Sequence, residues 1–330
     1  MKRVFKKIIT LAAATCIAVG LFGCSAGQPQ KVVIYTNADE EAIASMEKAL
    51  KADGFENKYI ITTFGTSELG GKLMAEGDKL EAGLVTMSSY FIESAQQKNK
   101  MFVDLTFDTK ALNQYPSYYT PILANTGSIF VNTEVMKQKN LAMPTSVKDL
   151  TKPEYNGLVS IPDIMSSSTA WLLVQSIITQ YGKDEGKTIL KGLIDNCGPH
   201  IESSGSGPIK KVRAGEVAAG FGLRHQAVMD KAAGKPIDYI DPVEGNFSLT
   251  ESVAVVKKDS AATKLAMDMA AAIIKDARND LLANYPVALY EGEEVSAEYK
   301  PANAKQFESP LTVPLLEEHQ QFWKDAKGTN

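Results

Sequence analysis

The chain has 330 residues, 44% of them hydrophobic, with 35 basic against 39 acidic side chains and a net charge of −4. A chain of this length and apolarity builds a large core, and its acidic balance excludes nucleic acid as the natural partner. Cys16, Cys24 and Cys197 form no disulfide framework, and Cys197 with His200 is a lone pair without a second one at zinc spacing, so neither a metal site nor a cofactor is expected. From the N-terminus, Lys2, Arg3, Lys6 and Lys7 form a basic head before an apolar run from Ile8 to Phe22. That run is shorter than the roughly 20 apolar residues a membrane span needs, so residues 1–23 read as a secretory signal peptide.

The run ends in Leu21-Phe22-Gly23-Cys24, which resembles a bacterial lipobox. The expectation is an extracytoplasmic protein held to the bacterial cell membrane by lipid on Cys24, with residues 24–30 as a polar tether. Losing the signal, with its four basic residues, takes the net charge from −4 to −8. About 300 residues remain, more than the usual single domain, which suggests two lobes.

Lys31 to Asn37 reads as a buried strand, and Asp39 to Lys51 has helical spacing with Ile43, Met46, Ala49 and Leu50 on one face. Tyr59 to Phe64 is a second strand leading through Gly65-Thr66-Ser67 into a helix, and Gly83 to Met87 a third. Ser128 to Asn132 is a further strand before a short helix. Val159 and Ile161 precede Pro162, a hydroxyl-rich turn and an apolar helix to about Tyr181; Lys187 to Ile194 is helical again. Pro208 suits the first turn of a helix through Arg213. Val217 to Phe221 is a strand leading to a loop with Arg224 and His225, Ser248 to Val256 a late strand, Thr263 to Ala283 a long apolar helix, and Leu315 to Asp325 a polar one. Strands alternating with helices indicate an α/β protein with a parallel sheet, whose ligands gather beyond the carboxyl ends of the strands.

Four such junctions are rich in Gly, Ser, Thr or Asn: Thr36-Asn37; Gly65-Thr66-Ser67; Ser166-Ser167-Ser168-Thr169; and Ser203-Ser204-Gly205-Ser206-Gly207. One alone is ordinary capping. Together, with three opening helices whose first N–H groups lack partners, they describe a cradle of neutral donors for an anion. Arg224 offers a planar fork to a phosphate or carboxylate, and His225 a partner for a hydroxyl or oxyanion. Enzyme motifs fail: Gly65-x4-Gly70-Gly71-Lys72-Leu73 has the wrong spacing for a phosphate-binding loop and Leu73 where a hydroxyl must hold magnesium, and Ser204 stands where a nucleophile elbow at Ser206 needs glycine.

The order of Val33-Ile34-Tyr35-Thr36-Asn37, Gly65-Thr66-Ser67, Ser128 to Thr133, Pro162 with Ser168-Thr169-Ala170, and Ser204-Gly205-Ser206 followed by Gly215-Glu216 resembles one family. It is the group of ABC-transporter extracellular solute-binding proteins that takes ferric iron, 2-aminoethylphosphonate, sugar phosphates and polyamines. The resemblance implies a two-lobed, type II periplasmic-binding fold with a two-segment hinge near Asn125 to Asn132 and Asn246 to Val253. One lobe would hold residues 31–126 plus about 250–330, the other 127–249. It implies a monomer that binds a small anionic solute and delivers it to a membrane permease, and no enzyme activity. The family's iron binders carry a tyrosine pair where this chain has Leu223-Arg224-His225-Gln226, so ferric iron is disfavoured. A phosphonate, with 2-aminoethylphosphonate foremost, is expected on Ser166 to Thr169, Thr66, Ser67, Ser204 and Ser206, with Asp163, Glu244 or Glu251 meeting its amine. A sugar phosphate is the alternative within the family. From another class, a lipid-anchored serine hydrolase would use Ser168 or Ser206 with His225.

Overall fold

Val32 and Ile34 bury one face of the first strand, β1 (Val32–Thr36), against the apolar stripe Ala42, Met46, Ala49 and Leu50 of helix α1 (Glu40–Ala52). Asp39 caps that helix by accepting from the Ala42 N–H at 3.1 Å, and Glu40 and Glu41 fill its first turn, where the dipole favours negative charge. This computed structural model describes residues 31–328. The expected signal peptide (1–23), tether (24–30) and lipidation at Cys24 lie outside the described residues.

The chain continues through β2 (Tyr59–Thr63), α2 (Thr66–Glu76), β3 (Leu84–Ser88), α3 (Ser89–Asn99), β4 (Thr120–Asn132), α4 (Thr133–Gln138) and β5 (Val159–Pro162). Next come α5 (Thr169–Cys197), β6 (Ile201–Glu202), α6 (Gly207–Arg213), β7 (Ala219–Leu223), α7 (Arg224–Ala232), β8 (Ile237–Ile240) and β9 (Asn246–Val255). The last elements are α8 (Ser260–Ala272), a π turn into α9 (Arg278–Asn284), β10 (Ala304–Lys305) and α10 (Val313–Lys327). The two helices expected on either side of Tyr181 join in α5 across a kink at Gly182, whose φ of 71° suits glycine.

The sheet is mixed, not parallel as expected. Its order is β2-β1-β3-β9-β4-β7-β5-β6, with β8 on β4 and β10 on β9. Strands β1, β2 and β3 run parallel to one another, while β9 runs antiparallel to both β3 and β4. Strand β4 is more than twice the length expected and changes partners along it. Thr120 to Thr126 pair with β9, and Gly127 to Val131 pair antiparallel with β7. Because β5 and β6 follow the direction of β7, the carboxyl ends of β5–β7 point back at those of β1–β3. Ser88 at the end of β3 is level with Glu251 and Leu123, and Leu223 at the end of β7 is level with Gly127. Two sets of strand ends therefore meet over a short stretch of β4 and β9. This is the two-lobed, type II arrangement, with β4 and β9 as its crossing segments.

Trp171, Leu172, Leu173, Val174 and Ile177 of α5 are fully buried beside Val159 and Ile161. Each such side chain removed from water contributes about 1.5–3 kcal/mol before entropy is counted. Helix α10 packs on α5, where buried Trp171 Nε1–H donates to His319 Nδ1 at 2.6 Å. Cys197 is a free, buried thiol whose pKa burial pushes up, which makes it inert packing. Tyr119 is likewise packed inside, its hydroxyl donating to Glu93 at 2.6 Å.

Candidate functional site

A cavity of about 560 Å³ opens where the strand ends meet. All four hydroxyl-rich junctions reach it: Asn37 after β1, Thr66 and Ser67 at the start of α2, Ser166 to Thr169 before α5, and Ser204, Gly205 and Ser206 before α6. Glu251 of β9 completes the expected residues that line it.

Local sequence explains the walls. Asp163 sets the turn before α5 by accepting the Met165 N–H on its side chain at 2.8 Å and the Ser167 N–H on its carbonyl at 2.9 Å. Its carboxylate is thus committed to the backbone, and Asp163 is absent from the cavity lining. Ser167 Oγ accepts from the Thr169 N–H at 3.3 Å, and no side chain caps α5 from its Ncap residue, Ser168. Gly65, the Ncap residue of α2, has no side chain to cap with. Both helices therefore present N-termini without an Ncap side-chain bond to the cavity, where their dipoles favour negative charge. Gly205 matters by its size: a Cβ there would overlap the Thr169 side chain, so glycine lets the Ser204–Ser206 loop close on the start of α5.

The floor is acidic. Glu251 is 3% exposed, and its Oε1 accepts from Ser88 Oγ at 2.9 Å, Asn37 Nδ2 at 3.4 Å and Asn125 Nδ2 at 3.5 Å. Burial pushes its pKa up to about 8, with the negative charge of Asp39 adding to the effect against the hydrogen bonds from Ser88, Asn37 and Asn125. Asp39 also lines the cavity. Burial acts to raise its pKa, but His225, the Tyr285 hydroxyl and the Ala42 N–H together hold it below the usual range. The described lining contains Asp39, Glu68 and Glu251 but no Lys, Arg or His.

Several expected site residues lie elsewhere. Thr36 is buried beneath the floor, its hydroxyl accepting from Thr86 Oγ1 at 2.7 Å and the Ala38 N–H at 3.0 Å. Arg224 does not line this cavity. Strand β7 runs two residues further than expected, so Arg224 opens α7 inside the protein rather than a loop. Its guanidinium forms a bidentate pair with Asp241 at 2.7 and 3.1 Å, donates to the Tyr299 carbonyl at 2.7 Å and stacks over Tyr239. His225 is buried against Tyr285, with ring centroids 4.1 Å apart, and its Nε2 stands 3.5 Å from Asp39. It does not line the cavity reached by Ser168 and Ser206, which removes the base from the hydrolase arrangement. Glu244 is fully buried elsewhere, accepting from the Val147 and Lys148 N–H groups and from Tyr181. Cavity residues that the sequence reading missed are Asp39, Phe64, Glu68, Asn125 and Tyr285.

Among the described residues, no group of three or more His, Cys, Asp or Glu is placed to hold a metal ion, and no helix is long and apolar enough to cross a membrane. Residues 83–309 match the family described as bacterial extracellular solute-binding protein. The chain belongs to this family. Its members bind small solutes outside the cytoplasm and work with ABC permeases, and they are transport proteins rather than enzymes. The solute-binding protein is 25% identical over 265 residues to the spermidine/putrescine-binding periplasmic protein of Escherichia coli K12, covering 74% of this chain and 73% of that one. In fold it is similar to a periplasmic thiamin binding protein, with a TM-score of 0.74, 17% identity and coverage of 92% and 98% of the two chains. It is also similar to the periplasmic binding protein AfuA of Actinobacillus pleuropneumoniae, solved with fructose-6-phosphate bound, with a TM-score of 0.69, 18% identity and coverage of 91% and 95%.

Proposed function

We propose that this solute-binding protein captures a small solute bearing a phosphonate or phosphate group, with 2-aminoethylphosphonate the foremost candidate, and delivers it to an ABC permease. The observation that carries this reading is the convergence of two helix N-termini, α2 at Thr66 and α5 at Thr169, on a cavity rich in serine and threonine hydroxyls. Such donors hold an oxyanion by hydrogen bonds and partial charge, without a side-chain cation. Residues 31–126 with about 250–330 form one jaw and 127–249 the other, closing on the solute as a monomer. Lipid on Cys24 keeps the protein beside its permease.

Thermal-shift and calorimetric titrations at pH 7 test this with 2-aminoethylphosphonate, ethylphosphonate, fructose-6-phosphate and ferric citrate. The phosphonates stabilise the protein. A response to ferric citrate alone, with none to any phosphonate or phosphate ester, rejects the reading. A second reading, a polyamine, is favoured by the carboxylates of Asp39, Glu68 and Glu251 around the cavity and by the name of the Escherichia coli relative. It predicts stabilisation by putrescine and none by ethylphosphonate.

A further inference from the structure

Glu251 Oε1 collects three donors, but Glu251 Oε2 meets none among the described residues. The same is true of Asn37 Oδ1 and Asn125 Oδ1. Both amides spend N–H groups on Oε1, which leaves their oxygens as the groups without partners. All three residues line the cavity. Buried oxygens without donors cost free energy that a ligand carrying donors recovers. Three acceptors match an ammonium group, which has three N–H donors and no acceptor, whereas a hydroxyl supplies one donor and an ionised phosphonate none.

We infer that the cavity floor is an ammonium subsite, in which Glu251, Asn37 and Asn125 accept hydrogen bonds from a primary amine on the solute. The inference rests on the proposed function and selects one acid from three candidates, since Asp163 and Glu244 are absent from the lining and accept backbone N–H groups. The solute is then a zwitterion, its anion on the hydroxyl wall and its amine on the floor. The ionisable groups facing Glu251 are Asp39, whose charge reinforces the attraction for a cation, and the buried hydroxyl of Tyr90. Burial holds Glu251 largely protonated at neutral pH. Binding of the ammonium ionises the carboxyl, and its proton leaves to solvent.

The test is calorimetric titration of the full chain at pH 7, in two buffers of different ionisation enthalpy, with 2-aminoethylphosphonate, ethylphosphonate and putrescine. 2-Aminoethylphosphonate binds more tightly than ethylphosphonate and releases a proton on binding. Glu251→Gln abolishes that release and weakens 2-aminoethylphosphonate about 10–100-fold, the range for a hydrogen-bonded charge, while ethylphosphonate stays within about threefold. Retained ethylphosphonate binding also shows that the variant is folded. If it is not, Asn125→Ala gives the same comparison, lowering the ratio of the two affinities. An unchanged ratio overturns the subsite. Ethylphosphonate binding with no gain from the amine keeps the proposed function and overturns the subsite. Putrescine binding that Glu251→Gln removes, with no phosphonate bound, keeps the subsite and overturns the proposed function. Failure of both amine-bearing probes overturns the subsite.

Discussion

Thr66 Oγ1 lies 3.4 Å from Ser168 Oγ, joining the first residue of α2 to the residue that precedes α5. Beside it the Ser67 N–H donates to the Ser166 carbonyl at 3.4 Å. Two helix starts about a hundred residues apart in the chain therefore touch, and both face one cavity. On the proposed reading, a phosphonate bridging them would take donors from each. Thr66→Val and Ser168→Ala are each expected to weaken ethylphosphonate about tenfold, one hydrogen bond to a charged group, with little change in melting temperature. Titration and thermal unfolding read the two effects separately. Unchanged affinity in both variants would reduce Ser166 to Thr169 to a turn that starts a helix.

Glu251 should make the unliganded protein lose stability as pH rises from about 4.5 to about 8. Its folded-state pKa of about 8 is above its ordinary value of 4.5, so its contribution to stability is complete below pH 4.5 and is lost as pH rises through 8. Glu251→Gln cannot ionise and escapes that loss. The variant should gain a few kcal/mol on the wild type between pH 5 and pH 9, each pKa unit being about 1.4 kcal/mol. Unfolding curves for the two proteins that stay parallel across that range would contradict this account.

Arg224 is held by protein groups away from the cavity. Its bidentate pair with Asp241 is buried, and Asp241 also accepts from Asn246 Nδ2 at 3.0 Å and the Ala302 N–H at 2.9 Å. Arg224→Ala leaves the Asp241 carboxylate without its buried counter-charge and should cost about 3–5 kcal/mol in denaturant unfolding. The folded variant should keep its phosphonate affinity. Lost affinity at unchanged stability would return Arg224 to the ligand.

Gly205→Ala should act on binding before it acts on the fold. The new methyl group overlaps Thr169, so either the Ser204–Ser206 loop or the start of α5 must shift. Alignment of donors on the anion suffers, and affinity should fall by about tenfold or more. Gly65→Ala is the control: its Cβ would meet nothing nearer than the Ser166 carbonyl oxygen at 3.6 Å, an ordinary contact.

Most of the elements were legible in the residues because the signals are local. The spacing of Met46, Ala49 and Leu50 marks α1, and the β-branched run before Thr36-Asn37 marks β1. Where packing decides, the sequence misled. Strand β7 continues to Leu223, whereas the residues after Phe221 read as a loop carrying Arg224. Only the tertiary structure brings Asp241, Tyr239 and the Tyr299 carbonyl around it. Asn125 carried a signal that went unread, an amide interrupting the apolar strand Pro121-Ile122-Leu123-Ala124, where an unpaired polar group must have a use.

By itself the sequence determined the hydroxyl-rich junctions, because capping chemistry is written in consecutive residues: Thr66-Ser67, Ser166 to Thr169 and Ser204 to Ser206 name themselves. The alternation of strands and helices also marked an α/β protein. The tertiary structure alone decided which charges face the cavity. That choice depends on the partner change along β4, which sets Glu251 and Asn125 level with the strand ends and turns Arg224 inward. A charge acts on a ligand only where no nearer opposite charge neutralises it. Asp241 does so for Arg224, while Glu251 has an oxygen left to offer.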